Sequence, residues 1–438
     1  MFLGIIVALI VFSFIVLVHE YGHFKTARIF GVKVFEFGLG IPPKAKKLWI
    51  DKSGTEYTLN WLPIGGFVRM KGENLNYFQV YDKSKKIIKH DELKKVLESD
   101  IEVFDVDQVL ISRTDKELIL EKLKENDDKD NLLNKPYWQQ SIVILAGVFM
   151  NFVLAIIIFT ILFTLGVKPV GINDKIDTNL DIMMFPTIEQ SIEKGLLKIN
   201  NGVLLSPLTG SLAEKSGIKM YDLLLKIDGN DAKNTDYVKN IISKSKNKEL
   251  TLNIEREGKI LDIKLKIGTD GKIGAYLGTN YEFNRDFRYQ YNFPESFFVS
   301  SKEVYNETLL TFKALGVLVS KLVLPKTKQD REEAMESVGG PIAIAGVIND
   351  AMKAGFSILM ILAALISINL GAFNLLPIPA LDGGRFLFMT VNKLITILTG
   401  KKGISPQIEG LIHLSFFVIL IILSIIVAYN DIINIVKK

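Results

Sequence analysis

Four long apolar segments constrain the fold of this chain more than any other feature of its sequence. Hydrophobic residues make up 48% of its 438 residues. The segments are 1–30, uncharged over its first eighteen residues, and the uncharged stretches 141–167, 354–381 and 410–430. A helix crosses a bilayer with about 20 mostly apolar residues, so each segment is long enough. The sequence therefore predicts a membrane α-helical fold with four transmembrane helices.

The first of these segments is interpreted as a retained span rather than a cleaved signal peptide. It lacks the basic beginning and the small-residue cleavage site of a signal peptide. His19 and Glu20 follow its uncharged run directly.

Lys and Arg residues near the spans predict the orientation of the chain. Cytoplasmic loops carry an excess of these residues, and two loops meet that description. We therefore expect the N-terminus, the C-terminus and region 168–353 to be extracytoplasmic, although Lys437 and Lys438 fit this orientation less well. The loop residues are Arg28, Lys33, Lys44, Lys46 and Lys47 after the first span, and Arg385, Lys393, Lys401 and Lys402 before the fourth.

The regions between the spans differ in composition. Strand-forming residues punctuated by Gly and Pro predict a β-hairpin after the first span. Charges alternating with aliphatic residues then predict a small cytoplasmic helical insertion. The predicted organisation is 1–30 first span, 31–73 hairpin region, 74–136 insertion, 137–167 second span, 168–283 soluble mixed domain, 284–353 amphipathic membrane-surface segment, 354–395 third membrane segment and 408–431 fourth span.

The composition excludes several kinds of functional site. The chain has no cysteine, which rules out disulfides, thiol nucleophiles and cysteine zinc ligands. Its net charge of +5 is small for its length, so no nucleic-acid partner is expected. Any zinc site must use His, Asp or Glu, and the histidines are His19, His23, His90 and His413.

The strongest motif is His19-Glu20-Tyr21-Gly22-His23, at the end of the first apolar run. Residues i and i+4 share a helix face, so both imidazoles can reach one metal ion. Zinc lowers the pKa of bound water from about 15.7 to about 7, and Glu20 is placed to take the proton of that water. The alternative is a chance match at a helix end. Ionisable residues in membrane helices are costly and usually functional, which favours the metal.

A catalytic zinc ion usually has three protein ligands, and Asp382 is the candidate for the third. This carboxylate ends the third apolar segment, where a charge without a partner costs about 2.5–3.5 kcal/mol. Pro377 and Pro379 are predicted to interrupt the helix just before it, and Gly383 and Gly384 allow sharp turns after it. The alternative is an ordinary helix end whose Asp faces the cytoplasm.

Asn374 lies in the same interrupted stretch, eight residues before Asp382. Its amide could bind a substrate backbone or a developing oxyanion. It could equally be a packing amide that bonds between helices, and the residues alone leave both roles open.

These motifs resemble those of the bacterial site-2 protease family of intramembrane zinc metalloproteases. The resemblance rests on HEYGH in the first span and NLLPIPALDGG (374–384) in the third segment, and it covers most of the chain. FGLG and LPIGGFVRM resemble the membrane re-entrant β-hairpin of the family. AGVFMNFVLA in the second span and SVGGPIAIAG before the third segment resemble further parts of it. Val148 stands where the family often has Pro, and the insertion is longer than expected.

The resemblance implies one catalytic Zn²⁺ held by His19, His23 and Asp382, with Glu20 as the catalytic acid and base. It also implies that Asn374 binds substrate, and that the hairpin, at Gly65 and Gly66, pairs with unwound substrate by strand addition. The implied substrates are single-span proteins such as anti-sigma factors and remnant signal peptides. The implied location is the bacterial inner membrane, with the active site near the cytoplasmic side.

Residues 206–230, SPLTGSLAEKSGIKMYDLLLKIDGN, resemble a PDZ domain of the bacterial protease type. Such a domain can bind peptide C-termini or extended segments by strand addition, so 168–283 is expected to be an extracytoplasmic PDZ-like domain. Tyr221 replaces the usual Gly before Asp222.

Two functions of other classes stay open on the sequence. The first is a membrane-anchored, non-catalytic PDZ adaptor, and the second is a metal carrier that uses the same His and Asp residues. The remaining histidines are interpreted without a metal: His90 on a solvated helix face, and His413 in an interfacial or interhelical hydrogen bond.

Overall fold

The computed structural model of the chain describes residues 2–72, 90–99, 101–104, 111–112, 116–117, 119–120, 128–173, 180–327, 329–331, 334, 339–400 and 403–436. The chain divides into two compact units, Met1–Val167 with Gln290–Lys438, and Lys168–Tyr289. The helices are α1 Phe2–Ile29, α2 His90–Leu97, α3 Tyr137–Leu165, α4 Ile188–Glu193, α5 Leu212–Lys215, α6 Thr235–Lys244, α7 Phe293–Val323, α8 Pro341–Ala354, α9 Phe356–Leu375, α10 Asp382–Thr399 and α11 Pro406–Val436. The strands are β1 Val34–Ile50, β2 Glu56–Met70, β3 Leu197–Pro207, β4 Asp222–Ile227, β5 Asn230–Asp231, β6 Glu249–Arg256, β7 Lys259–Lys266 and β8 Ala275–Phe283.

Four helices of the described chain are long and apolar enough to cross a membrane. They lie at Leu3–Ile29, Tyr137–Leu165, Phe356–Leu375 and Ile408–Tyr429. The prediction of four membrane-length helices is thereby confirmed. Their sidedness stays a prediction.

The third apolar segment is interrupted where the prolines predicted it. α9 ends at Leu375 and α10 begins at Asp382, because neither Pro377 nor Pro379 can donate a backbone hydrogen bond to continue the helix. The connecting loop places the Asp382 carboxylate at the first turn of α10. The helix therefore ends six residues before the predicted Leu381, and α10 is a separate element.

Strands β1 and β2 form the predicted hairpin, paired antiparallel. Phe37 of β1 lies opposite both Val68 and Tyr57. Both partners belong to β2, so parts of β2 flank the middle of β1 on both sides. The hairpin packs its apolar face on α1 through Phe24, which is buried with Phe37 and Val68. Its re-entry into the membrane stays a prediction.

The insertion 74–136 is described in part. α2 is helical, as predicted, and its Leu93 and Leu97 are buried with Val103 and Ile119. Residues 73–89, 100, 105–110, 113–115, 118 and 121–127 lie outside the described part of the chain.

Helix α7 runs along α3 with its polar side inward. Near its beginning, the backbone N–H of Tyr291 donates to the Phe163 carbonyl at 3.0 Å. Further along, Thr311 donates to the Asn369 side chain of α9 at 2.8 Å. Ser300 and Glu303 are buried, and apolar residues such as Phe298 are exposed. Contact of this outer face with a membrane surface, predicted for 284–353, stays a prediction.

The second unit is built on an antiparallel sheet with strand order β7-β6-β4-β3-β8, and β5 pairs with β4. Its core consists of apolar side chains from the sheet and from α5 and α6, including Val203, Leu224, Val238, Leu252 and Ile254, all buried. This arrangement agrees with the predicted PDZ-like domain.

Tyr221, which stands where the PDZ pattern usually has Gly, has a left-handed backbone conformation. Its φ is 67°, the left-handed region that favours Gly. Tyr221 therefore has a backbone conformation that is unfavourable for a residue with a side chain.

Candidate metal centre

Helices α1 and α3 approach each other closely at Gly22. A Cβ on Gly22 would lie 2.4 Å from the Ala146 carbonyl oxygen, which is far inside van der Waals contact. The absence of a side chain at this position therefore lets the two helix backbones meet. Gly22 lies between the two histidines of the motif, so the approach brings both of them against α3.

His19 and His23 of α1 meet Asp382 of α10. Nε2 of His19 lies 3.0 Å from Oδ2 of Asp382, and Nε2 of His23 lies 3.4 Å from the same oxygen. The two Nε2 atoms are 3.2 Å apart. Both imidazoles are buried, and the carboxylate is 18% exposed. The structure thus joins three residues that the sequence places in two segments more than 350 positions apart.

The spacing of these atoms fits a tetrahedral zinc ion. Zinc binds His nitrogen and carboxylate oxygen at about 2.0–2.2 Å, so its ligand atoms lie about 3.3–3.6 Å apart. The separation of 3.4 Å lies within that range, and those of 3.0 and 3.2 Å fall just below it. His19, His23 and Asp382 are a group of residues that could hold a metal ion.

The outer nitrogen of each imidazole has a partner on α3. Nδ1 of His23 lies 2.8 Å from the Val143 carbonyl oxygen. A carbonyl oxygen can accept but not donate, so this Nδ1 carries the proton and the Nε2 lone pair of neutral His23 faces the centre. Such contacts fix the tautomer and the orientation of a metal-binding histidine.

Asn151 takes the corresponding place beside His19. Its amide nitrogen lies 3.2 Å from Nδ1 of His19, and its buried amide oxygen has no hydrogen-bond partner among the described residues. A half-turn of the amide exchanges these two atoms. That orientation lets the amide oxygen accept from Nδ1–H, and it leaves the Nε2 lone pair of His19 directed at the centre.

Gly147 of α3 leaves the space that the three side chains share. A Cβ at this position would lie 2.4 Å from Nε2 of His23 and 2.6 Å from Nε2 of His19. Any side chain here would therefore occupy the place where the ligand atoms converge.

The loop before Asp382 folds back over the beginning of α10. A Cβ on Gly383 would meet the Leu376 carbonyl oxygen at 2.3 Å, and one on Gly384 would meet the Ile378 carbonyl oxygen at 2.2 Å. The two glycines predicted to allow a turn therefore let the loop backbone lie directly against the start of α10. This contact fixes the loop and, with it, the carboxylate of Asp382.

Glu20 lies on α1 toward the hairpin. Its side chain is half-buried, and its Cγ would be 3.9 Å from a Cβ placed on Gly66. Gly65, with φ 71°, donates its backbone N–H to the Ser13 hydroxyl at 3.1 Å. The predicted acid–base residue thus lies beside Gly66, one of the two glycines predicted to bind substrate.

Asn374 is in the last turn of α9 and is half-buried. Its side chain forms no hydrogen bond with the described residues, so the structure leaves its amide available but does not join it to the His–Asp group.

Sequence reasoning missed Gly147 and Asn151 as parts of this centre. One signal was present, because Asn151 is the single amide in the uncharged stretch 141–167 and polar residues inside a membrane span are commonly functional. Gly147 lies with Asn151 in AGVFMNFVLA, which resembles part of the family, but that resemblance assigned neither residue to the metal centre.

Comparison with known proteins gives consistent matches over nearly the whole chain. The profile of Peptidase family M50 matches residues 7–428. The chain is similar to the "Probable protease eep" of Enterococcus faecalis, with 29% identity and 98% of each chain covered. It is similar to the "Regulator of sigma-W protease RasP" of Bacillus subtilis, with 28% identity and 99% of each chain covered. It is also similar to the "Zinc metalloprotease RasP" of Oceanobacillus iheyensis, with 28% identity and 98% of each chain covered.

Proposed function

The chain belongs to peptidase family M50, and from this membership we propose that it is a site-2 type zinc metalloprotease that cuts membrane-anchored proteins. The convergence of His19, His23 and Asp382 is the observation that carries the proposal. Two histidines from an H-E-x-x-H motif and one carboxylate form a ligand set suited to catalytic zinc.

One Zn²⁺ ion would be held by His19, His23 and Asp382. The ion would supply Lewis acidity, which lowers the pKa of water so that its deprotonated form can attack a peptide carbonyl at neutral pH. The tautomer of His23, set by the Val143 carbonyl, leaves its Nε2 free to bind. The Asn151 amide holds the ring of His19 at the opposite nitrogen.

Glu20 is the general base and then the general acid of the reaction. It takes one proton from water as the hydroxyl adds to the peptide carbon. It gives that proton to the amide nitrogen as the C–N bond breaks. The products are a carboxylic acid and an amine, and Glu20 returns to its starting state.

The substrate would lie between the hairpin and the interrupted end of α9. An unwound segment could add a strand beside Gly65 and Gly66, on the side of α1 where Glu20 meets the hairpin. The amide of Asn374 would bind the substrate backbone or the developing oxyanion.

The substrates proposed for this chain are single-span membrane proteins, including anti-sigma factors and remnant signal peptides. The Bacillus subtilis relative is called a regulator of sigma-W protease, which supports a place in regulated proteolysis. The protein would lie in a bacterial inner membrane with its termini and PDZ-like unit outside. The hairpin would re-enter the bilayer, and the metal centre would lie near the cytoplasmic side.

The PDZ-like unit would bind a peptide C-terminus or an extended segment. β8 ends the strand order and pairs with β3 along one side. No strand among the described residues pairs with its second edge, which can therefore accept a peptide strand through its backbone donors and acceptors.

Purified protein in liposomes, with a single-span model substrate, tests the proposed reaction. Glu20→Gln should reduce cleavage by at least about a hundredfold while zinc content stays at one ion per chain. A chelator should stop cleavage by the unaltered protein, and added zinc should restore it.

Two outcomes would contradict the proposal. Metal flux across the liposomes without cleavage would favour a metal carrier. Peptide binding with no cleavage, unaffected by Glu20→Gln or the chelator, would favour a PDZ adaptor.

A further inference from the structure

His413 of α11 contacts the loop that carries Asp382, although it lies outside both metal motifs. Its Nδ1 accepts the backbone N–H of Ala380 at 2.7 Å. The sequence predicted a hydrogen bond for this residue, and the structure supplies one whose partner is the loop backbone, two residues before the carboxylate.

The Ala380 N–H is the one that the loop does not satisfy internally. Leu376, Ile378 and Leu381 donate their N–H groups to the carbonyls of Phe373, Leu376 and Ile378. The two prolines between them have no N–H to donate. His413 therefore provides a side-chain contact that fixes the end of this short loop, next to Asp382.

Ala380 also has a strained backbone conformation. Its φ is 80°, a left-handed value that costs a residue with a Cβ about 1–2 kcal/mol. Such conformations persist where the surroundings enforce them. The hydrogen bond to His413 is an enforcing contact, and it acts directly on the strained residue.

The position of His413 is itself fixed relative to α10. Asn392 of α10 accepts the Ile404 N–H at 2.7 Å and donates to Glu409 of α11 at 3.3 Å. The ring of His413 packs 5.3 Å, between centroids, from that of Phe388. The start of α11 is thus tied to α10, the helix that Asp382 begins.

From these contacts we infer that His413 is a positioning residue, which holds the Ala380 loop so that the Asp382 carboxylate faces His19 and His23. The inference rests on the proposed metal site. Its chemical requirement is a hydrogen-bond acceptor at the place of Nδ1, and neither a charge nor a metal-binding atom is needed there.

Two amide variants test this requirement in the full-length protein. The oxygen of Asn can take the place of His Nδ1, whereas the oxygen of Gln extends one bond further, toward the place of Nε2. His413→Asn should keep zinc affinity within about threefold of the unaltered protein. His413→Gln and His413→Leu should each lower it by about ten- to a hundredfold, as loss of a group that orients a metal ligand typically does.

Zinc affinity is measured by competition with a chromophoric chelator, and the thermal midpoint of the metal-free protein checks folding. Ser415→Ala is the matched control, because Ser415 is exposed on the same helix and bonds within it. If His413→Leu does not fold, the Asn and Gln pair carries the test. Equal zinc affinity in folded Asn and Gln variants would overturn the inference, whereas absence of zinc from the unaltered protein would overturn the proposed metal site instead.

Discussion

The two units of this protein place their essential contacts differently along the chain. The PDZ-like unit folds from the continuous stretch Lys168–Tyr289 around apolar side chains. The metal centre joins residues from α1, α3 and α10. It depends on glycines that leave space for close contacts and on one hydrogen-bond partner for the outer nitrogen of each imidazole. The metal centre is therefore sensitive to one added atom, whereas the PDZ-like unit is sensitive to loss of buried volume.

Gly147→Ala should give the largest effect, because it adds one atom at the metal centre and leaves the core of the PDZ-like unit unchanged. Its added Cβ would lie 2.4 Å from the His23 Nε2, so we expect zinc affinity and cleavage to fall by at least about a hundredfold. Zinc content and cleavage of a model substrate are the measurements.

The matched control is Gly316→Ala in α7, where an added Cβ meets nothing within 4 Å. Because Ala is favoured over Gly in a helix by about 0.5–1 kcal/mol, this variant should be as active as the unaltered protein and slightly more stable. Normal zinc binding by Gly147→Ala would show that the ligand atoms do not converge beside α3.

Leu224→Ala should destabilise the PDZ-like unit and leave zinc binding unchanged. Leu224 is fully buried in the PDZ-like core, and its truncation should destabilise that unit by about 2–5 kcal/mol. Hydrogen exchange in the full-length protein should show faster exchange in 180–289 with unchanged zinc affinity. Concurrent loss of zinc would contradict the independence of the two kinds of contact.

Acidification should weaken the PDZ-like unit through Asp222, which is buried and receives two hydrogen bonds from Arg256, at 2.7 and 2.6 Å. Burial acts to raise the pKa of Asp222, but the hydrogen bonds from Arg256 and from the Lys219 backbone outweigh it and hold that pKa below its usual value. The ion pair therefore contributes fully above the unfolded pKa of about 3.9, and the contribution is lost as pH falls through the lower folded pKa.

The measurement is thermal unfolding of the PDZ-like unit in the full-length protein between pH 3 and pH 7. Asp222→Asn should remove the part of the acid dependence that this pair causes, and it should lower stability by about 2–3 kcal/mol at pH 7, since Arg256 is partly exposed. An unchanged acid profile in that variant would exclude Asp222 as its source.

Tyr221→Gly should have the smallest effect on the stability of the PDZ-like unit, and the test is whether the variant is more or less stable. The left-handed conformation of Tyr221 costs about 1–2 kcal/mol, and Gly removes that cost while adding unfolded-state entropy of about 0.5–1 kcal/mol. We expect a net stabilisation of about 0.5 kcal/mol by denaturant unfolding. Tyr276→Gly, at an exposed strand position, should destabilise the same unit.

Local patterns in the sequence predicted those parts of the structure that depend on neighbouring residues. The four apolar helices, the i, i+4 histidines and the proline interruption before Asp382 all follow from spacing and backbone chemistry within a few residues. The cost of a carboxylate at the end of an apolar segment also pointed to Asp382 as a ligand.

The contacts that complete the centre could not be predicted in the same way. Gly22, Gly147 and Asn151 matter because α1 and α3 approach at one depth, and no local pattern encodes the depth at which two helices meet. The hydrogen bond from Ala380 to His413 likewise depends on how α11 returns to α10. Helix α7 faces the protein interior with its polar side, whereas a helix of a soluble protein usually buries its apolar side.

X-ray absorption at the zinc edge tests the central claim most directly, because it counts the ligands of the bound ion. The unaltered protein should bind one zinc ion with two imidazole nitrogens and carboxylate oxygen at about 2.0–2.2 Å, and Asp382→Ala should lose the carboxylate contribution together with most of its zinc affinity. An identical spectrum and affinity in Asp382→Ala would contradict a site formed by α1 and α10.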